Sequence, residues 1–237
     1  MTAVESMAAA APAHLPIRER RLYRTAGFGS VLAAVAWLVQ PLLVFVVAGA
    51  DAPETPTMDY LLENPWGGPV EAAVFTGIGA GVLVLVLAVQ ALLAGRADAV
   101  SVPTRVTQLC GVIAGSAWIL LAGWYMGPYT SVGKAITEAA PDVALQQAVL
   151  QIHNVGAIGI IVAAGLAFAG WLLGLATAGR THALIGRPLA VGSGLAAAVI
   201  VVPLLTMPFS PPWGVLLGME AYLLIAGVAF LVKARKA

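Results

Sequence analysis

The most constraining feature of this 237-residue sequence is a series of six apolar runs, each about as long as a lipid bilayer is thick. A helix needs about 20 apolar residues to cross the hydrocarbon. Inside a bilayer, a helix also satisfies its own backbone hydrogen bonds. We therefore expect an all-α polytopic integral membrane protein with a bundle of six transmembrane helices. The predicted spans are approximately residues 26–49, 70–94, 106–126, 155–178, 189–207 and 213–232.

The composition also requires a lipid environment. Hydrophobic residues make up 60% of the chain and charged residues 10%, against about 45–50% and about 25% in soluble domains. The lipid bilayer is therefore the expected partner. A formal net charge of +1 excludes a large basic surface for nucleic acid. The single cysteine, Cys110, excludes an intramolecular disulfide.

Basic residues are confined to alternate connections between the spans. Of the twelve Lys and Arg, all but Lys134 lie before the first span, in the second and fourth connections, or at the C-terminus. The opposite connections are acidic, and Glu71 flanks one of them. Cytoplasmic segments of membrane proteins carry the excess of Lys and Arg. We therefore predict a multi-pass protein of the cell (cytoplasmic) membrane with both termini cytoplasmic, N-in and C-in.

The chain divides into a short tail and one membrane domain. Residues 1–25 are predicted to be a cytoplasmic N-terminal tail, and residues 26–236 the six-span domain. The first apolar run is longer than the about 7–15 residues of a signal peptide, so we expect it to be uncleaved. Cleavage near residues 48–50, which are small, is the alternative. Pro141 is predicted to start a helix whose first turns extend the fourth span as an amphipathic segment.

Pairs of glycines four residues apart recur in the spans. Such pairs let two helix backbones approach closely. They serve either close contact within one bundle or dimerisation between two copies, and the first is the more general use. The pairs are Gly77/Gly81, Gly111/Gly115, Gly170/Gly174 and Gly214/Gly218.

Glu220 is the one charged side chain clearly inside a predicted span. It follows Trp213 by seven residues, which places it about 10 Å below the outer boundary. Acidic residues at such depth usually mark ligand or proton pathways, although a structural hydrogen-bonded glutamate is the alternative. Gln40, Thr76 and Trp118 fall at similar depth in their own spans. Together with Glu220 they are predicted to form a polar, ligand-binding layer.

His153 and Asn154 form a second candidate ligand-binding position, at the outer end of the fourth span. An interfacial polar pair is the alternative interpretation. Metal or haem ligation would require a further strong ligand. The other histidines, His14 and His182, are predicted to lie on the cytoplasmic side. We therefore expect no metal site and no cofactor.

Three short motifs resemble a family of bacterial six-helix membrane proteins catalogued as domain of unknown function 4386. Arg21-Leu-Tyr-Arg24-Thr-Ala-Gly27 opens the first span, and His153-Asn154 heads the fourth. A proline-rich turn then precedes a last helix that bears Glu220 and ends at Lys233. The resemblance covers residues 18–236 and implies six helices without a known reaction.

Two classes of function remain open. The first is a non-enzymatic membrane protein that binds a small lipophilic molecule, transports one, or serves a membrane partner as an accessory subunit. The second is a membrane-embedded enzyme. The chain resembles small integral membrane terpene cyclases in size, and those enzymes protonate an alkene or epoxide with acidic residues. The resemblance implies that Glu63 and Glu220 are the two acidic residues and that Glu220 is the general acid. The aromatic-rich acidic motif of those enzymes is absent from the early helices. An enzyme would need a cavity at Glu220 and a second polar group within reach.

Overall fold

The computed structural model describes residues 16–48, 57–96, 101–139, 142–206 and 213–236. These residues form α-helices joined by turns, with no strand among them, and six helices are long and apolar enough to cross a membrane. The predicted six-helix, all-α class is thereby confirmed. A 3₁₀ turn, Gly127–Tyr129, follows α4, and a π-helical turn, Leu175–Gly179, ends α6. The α-helices are α1 Ile17–Ala48, α2 Met58–Glu63, α3 Gly67–Ala94, α4 Val102–Met126, α5 Ser131–Ala139, α6 Val143–Gly174, α7 Arg187–Thr206 and α8 Trp213–Lys236.

The six long helices form a closed ring in chain order. Each packs against the long helix before it and the one after it, and α8 returns to pack against α1. Large side chains fill the inside of the ring, because a helical bundle is stable only when its interior is closely packed. The largest fully buried ones include Tyr23, Trp118, Phe168, Trp171 and Phe230.

The outside of the ring is apolar. Large hydrophobic side chains point away from the bundle on several long helices, including Leu42 at 66% exposed, Leu120 at 59% and Leu195 at 63%. Water-soluble proteins rarely expose continuous apolar surface on this scale. The exposed surface of the ring therefore suits contact with lipid chains.

Five of the six long helices begin earlier than the predicted spans, and α8 begins at the predicted residue, Trp213. Helix α1 starts at Ile17, so the stretch predicted as the end of a tail is helical from there on. Helix α6 starts at Val143, where the Asp142 carboxylate accepts a hydrogen bond from the backbone N–H of Ala144 at 2.9 Å. Its polar first turns continue without a break into the fourth span, as the predicted amphipathic extension requires. Asp142 is therefore the N-cap of this helix, one residue after the predicted start at Pro141.

Parts of several predictions fall outside the described residues. They are residues 1–15 of the predicted cytoplasmic tail, the ends of the first and fifth predicted spans at residues 49 and 207, the helix start at Pro141 and the alternative cleavage position at residues 49–50.

The glycine pairs contact other helices of the same chain. A Cβ atom added to Gly81 of α3 would lie 2.5 Å from the carbonyl oxygen of Gly29 in α1. In the same way, Gly115 of α4 lies against Leu83 of α3, and Gly218 of α8 lies against Ile200 of α7. Close contact within the bundle therefore accounts for these glycines.

The two ends of the ring differ in charge. One end, the basic end, contains every Lys and Arg except Lys134. Helices α1, α4 and α7 start at this end, and α3, α6 and α8 finish there. At the acidic end, the short helices α2 and α5 contact each other and cover the bundle. The described carboxylates of the acidic end are Asp59, Glu63, Glu71, Glu138 and Asp142.

Four side chains form a cluster at the basic end, which we call the basic-end cluster. They come from α1, from the segment after α3 and from α8, and they contact the turn between α6 and α7. Arg96 Nη2 donates to the Glu19 carboxylate at 2.7 Å, and Arg96 Nη1 donates to the carbonyl of His182 at 3.1 Å. Lys233 Nζ donates to the carbonyl of Leu184 at 2.8 Å. Burial lowers the pKa of Arg96, but the hydrogen bond with Glu19 and nearby charge outweigh it, so this pKa lies above its ordinary value. The members of the cluster are Glu19, Tyr23, Arg96 and Lys233.

Candidate functional site

A cavity of about 240 Å³ opens at the acidic end. It lies between the first turns of α3 and α6 and the last turn of α4, next to α2. Pockets for drug-sized ligands usually measure about 300–1,000 Å³, so this acidic-end cavity suits a smaller molecule. Most of its lining residues are polar or aromatic. They are Glu71, Tyr125, Tyr129, Gln147, Gln151, His153 and Asn154, together with Leu61, Pro128 and Leu150.

Glu71 brings a carboxyl group to the wall of this cavity. It lies one turn into α3, which begins at Gly67, and its side chain is half-buried. Within the described part of the chain, the carboxyl has no hydrogen-bond or ion-pair partner. A charge removed from water is costly unless it is paired or neutralised. The Glu71 position therefore favours a ligand that carries a proton donor or a positive charge.

His153 is fixed between two aromatic rings. Trp124 stacks on the imidazole with 5.2 Å between ring centroids, and Tyr125 meets it edge-on at 6.2 Å. The Trp124 indole N–H also donates to the backbone carbonyl of His153 at 2.9 Å. These contacts leave the buried Nε2 atom of His153 without a hydrogen-bond partner among the described residues. Buried polar atoms normally have a partner, so this enclosed Nε2 atom is an exception, while other atoms of His153 border the cavity.

Two glycines at the start of α3 allow Tyr129 to lie directly against that helix. A Cβ atom added to Gly67 would come 2.7 Å from the Tyr129 hydroxyl oxygen, and Gly68 also contacts the ring. Tyr129 and Glu71 line the same cavity. Tyr125, in the last turn of α4, lines it as well. One carboxyl and two phenols therefore border the cavity together.

The structure brings together some of the predicted site residues and separates others. His153 and Asn154 both line the acidic-end cavity. Thr76 points outward from α3. Trp118 is fully buried in the ring, where its indole contacts the rings of Trp37 and Phe75 at centroid distances of 4.7 and 5.8 Å.

Glu220 and Gln40 lie at different depths in the bundle. Ser30 Oγ donates to the carbonyl of Leu223 at 2.6 Å, which places these two residues at one level. Towards the acidic end, Glu220 is three residues from Leu223 and Gln40 is ten residues from Ser30. At 1.5 Å per residue, their levels differ by about 10 Å. The predicted polar layer of Glu220, Gln40, Thr76 and Trp118 is therefore not assembled.

Glu220 itself is half-buried on α8 and borders neither the acidic-end cavity nor the groove between α7 and α8. Its carboxyl has no hydrogen-bond or ion-pair partner in the described ranges of the chain. Glu63, the other acid of the terpene-cyclase resemblance, is exposed at the end of α2 rather than in a loop. The general-acid role of Glu220 stays a prediction.

Sequence patterning missed Glu71 as a site residue. The predicted second span begins at Val70, so Glu71 counts there only as part of an acidic flank. Helix α3 begins three residues before Val70, which moves Glu71 one turn into the helix. The signal that could have identified Glu71 is a carboxylate inside an apolar run, at the same end of the bundle as the aromatic residues that end the third span.

A second opening is an apolar groove of about 450 Å³ between α7 and α8. Its walls include Leu195, Val199 and Ile225, and its described lining residues include no charged side chain. The hydroxyl of Tyr222, which borders it, accepts a hydrogen bond from Ser193 Oγ at 3.0 Å. The groove thus offers few polar groups to orient a ligand, and the acidic-end cavity is the better candidate site.

The donor set at the acidic end does not fit a protein metal site. Over the described residues, no three His, Cys, Asp or Glu side chains come together. Glu71 and His153 would supply two ligands, whereas zinc sites use three or four protein ligands. The cavity therefore suits an organic ligand better than a metal ion.

Comparisons of the chain with protein-family models, with curated proteins and with solved structures find no match. The resemblance to the family of unknown function stays a prediction. What the fold and the site define is a class: a six-helix protein of membrane-spanning dimensions with a small polar cavity at one end of its ring.

Proposed function

We propose that this chain is a multi-pass protein of the cell membrane that binds a small molecule in the acidic-end cavity, as a binding protein or transporter for that molecule. The observation that carries the proposal is the carboxyl of Glu71, which has no hydrogen-bond or ion-pair partner among the described residues and belongs to a residue that lines this cavity together with His153 and Asn154. A concave site with a few convergent polar groups is typical of small-molecule binding.

The proposal includes an orientation. The charge difference between the two ends supports a cytoplasmic basic end, because Lys and Arg concentrate on the cytoplasmic side of membrane proteins. The acidic-end cavity would then open on the opposite face. A ligand would reach it from outside the cell, through the rim that Gln151 and Asn154 form.

The other predicted functions have less support. An enzyme with Glu220 as general acid needs a cavity and a second polar group beside that carboxyl. An accessory subunit needs an outward strip of small residues for its partner. Gly79, Gly81 and Gly115 of α3 and α4 instead contact neighbouring helices of the same chain, although Gly123 of α4 and Gly192 and Gly194 of α7 have open space beside them. Ligand binding at the acidic end remains the function that the geometry favours.

Blocking the rim of the cavity tests this proposal. In Gln151→Trp, an exposed side chain on the rim becomes large enough to close the cavity. The matched control is Gln108→Trp, which adds the same bulk towards the basic end of α4. Probes are phenethylamine, 2-phenylethanol and 3-phenylpropionate, which share one frame and carry a positive, neutral or negative end. Binding is measured by equilibrium dialysis of the purified protein in detergent, with melting temperature as a check of folding.

We expect the wild-type protein and Gln108→Trp to bind at least one probe with the same Kd. Gln151→Trp should weaken that binding by about tenfold or more, because the indole would fill space that the probe needs and a penalty of about 1.4 kcal/mol already changes Kd tenfold. The proposal is overturned when no probe binds, or when all three proteins bind equally.

A further inference from the structure

We infer that the ligand of the acidic-end cavity is an organic ammonium ion, an amine protonated at neutral pH on a small apolar or aromatic frame. This inference rests on the proposed function and names the chemical class of the ligand for the same cavity. It is carried by the lack of a counter-charge for Glu71, by the aromatic lining and by the charge of the whole acidic end.

The Glu71 carboxyl lacks a positive partner from the described part of the protein. Among the described residues, the acidic end has one basic side chain, Lys134, and its ammonium lies 3.9 Å from the Glu138 carboxylate on the exposed surface of α5. None of the described residues that line the cavity is a Lys or an Arg. Hydrogen bonds between charged groups are roughly twice as strong as neutral ones, so an ammonium group is the complement that stabilises this carboxylate most.

A primary ammonium group has three N–H donors, and the cavity offers several acceptors. One donor would bind the Glu71 carboxylate. The Nε2 atom of His153 is enclosed, so His153 contributes its ring to the wall of the cavity rather than an acceptor. The amide oxygens of Gln147 and Asn154, which also border the cavity, supply further acceptors.

The aromatic lining favours the same charge. The rings of Tyr125 and Tyr129 border the cavity, and Trp124 stacks behind His153. Aromatic faces attract cations because their quadrupoles place negative charge above and below the ring. They have no such attraction for a carboxylate or a phosphate. Leu61, Pro128 and Leu150 form the apolar part of the wall, against which the carbon frame of an amine would pack.

The surroundings of the cavity carry negative charge. Asp59, Glu63 and Asp142 are exposed at the acidic end, and Lys134 is the sole basic residue there in the described ranges. A surface of one sign concentrates ligands of the opposite sign and repels those of its own. An anionic ligand would therefore meet an unfavourable field before it reached the Glu71 carboxyl.

The three phenylalkyl probes decide between the ligand classes. We expect phenethylamine to bind the wild-type protein about tenfold to a hundredfold more tightly than 2-phenylethanol, with 3-phenylpropionate weakest. Glu71→Gln keeps the shape of the side chain and removes its charge. In this variant the preference for the amine should disappear, while affinity for the neutral alcohol stays the same. The matched control, Glu63→Gln, removes an exposed charge of the acidic end outside the cavity and should keep the preference.

Failure of this inference differs from failure of the proposed function. If no probe binds, both are wrong. If 2-phenylethanol or 3-phenylpropionate binds as tightly as phenethylamine, or if Glu71→Gln keeps the preference for the amine, a ligand site exists and the ammonium assignment is wrong. Melting temperatures show whether Glu71→Gln folds. If it does not fold, the order of the three probes on the wild-type protein still decides.

Discussion

Single side chains at the basic end connect elements that are distant in sequence. Arg96 contacts Glu19 of α1 and the carbonyl of His182, which lies 86 residues further along the chain. Tyr23 lies within this group and donates to the carbonyl of Leu184 at 3.2 Å. Because one guanidinium serves two partners in a partly buried setting, its removal leaves both partners without a donor. The basic-end cluster should therefore contribute more to stability than an ordinary surface ion pair.

Glu19→Gln should lower the free energy of unfolding by about 1 kcal/mol, because it removes the charge that holds Arg96. The side chains of Glu19 and Arg96 are 26% and 18% exposed, so solvent screens this pair only in part. The matched control is Glu138→Gln, which breaks the pair with Lys134, whose side chains are 70% and 73% exposed. That control should melt like wild type. Reversible unfolding in mixed micelles measures both, and equal decreases in stability would contradict the special position of Arg96.

Sequence patterning could identify some site residues and not others. A polar pair such as His153-Asn154 at the head of an apolar run has to lie near the membrane boundary, and both side chains do line the cavity. Glu220 stands out because it is a charged residue inside an apolar run. That position does not specify which neighbouring side chains it contacts. Glu71 is a site residue only because Tyr125 of α4, Tyr129 of the following 3₁₀ turn and His153 of α6 line the same cavity. Such convergence depends on tertiary contacts that one sequence does not contain.

At the level of helices, α1 and α3 approach backbone to backbone at a pair of glycines. Gly29 and Gly81 face each other, and a Cβ atom added to either would lie within 2.7 Å of the backbone of the other. Backbone atoms cannot move aside as a flexible side chain can. Any larger residue at these positions therefore has to push the two helices apart.

Gly81→Ala should destabilise the protein by about 1–3 kcal/mol, the usual cost of adding a methyl group to a filled interior. Gly159→Ala is the matched control, since Gly159 is also within a long helix and has open space where its Cβ would be. Alanine favours helix more than glycine does, so the control should be unchanged or slightly more stable. Unfolding of both variants in mixed micelles distinguishes them. A Gly81→Ala protein as stable as the control would mean that α1 and α3 do not approach so closely.

Apolar run length could predict the long helices because crossing a bilayer requires about 20 apolar residues whatever the tertiary structure. It could not predict where those helices begin. The start of α6 is predicted from Pro141 rather than from hydropathy, and the helix begins at Val143, where the Asp142 carboxylate accepts a hydrogen bond from the backbone N–H of Ala144. The short helices α2 and α5 lie in segments that read as loops. Met58 of α2 is buried beside Gly133 of α5, so tertiary contact stabilises both.

At the scale of the whole molecule, the closed ring separates charge into two ends. An even number of long helices returns the chain to its starting side, so the segments near both termini lie at the basic end. Arg20 of α1 donates to the carbonyl of Ala234 in α8 at 2.9 Å, which joins the two ends of the chain directly. If the six long helices cross a membrane, as proposed, Arg20 and Ala234 lie on the same side of it.

Which side the termini occupy follows from the positions of Lys and Arg. All twelve lie in the described residues, and all but Lys134 are at the basic end, which predicts that this end is cytoplasmic. The single cysteine makes a labelling test clean, because Cys110→Ala leaves a background without thiols. In that background, Asp59→Cys at the acidic end should react with a membrane-impermeant maleimide on intact cells. Lys236→Cys at the basic end should react only after the cells are permeabilised.

Both positions are exposed on the protein surface, so access across the membrane decides the labelling. The reverse pattern would invert the orientation and place the acidic-end cavity in the cytoplasm. Labelling of both positions on intact cells would contradict six spans, because residues at opposite ends of a ring that crosses the membrane cannot share one side. With the predicted pattern, the Glu71 carboxyl faces the outside of the cell, and its ligand must come from there.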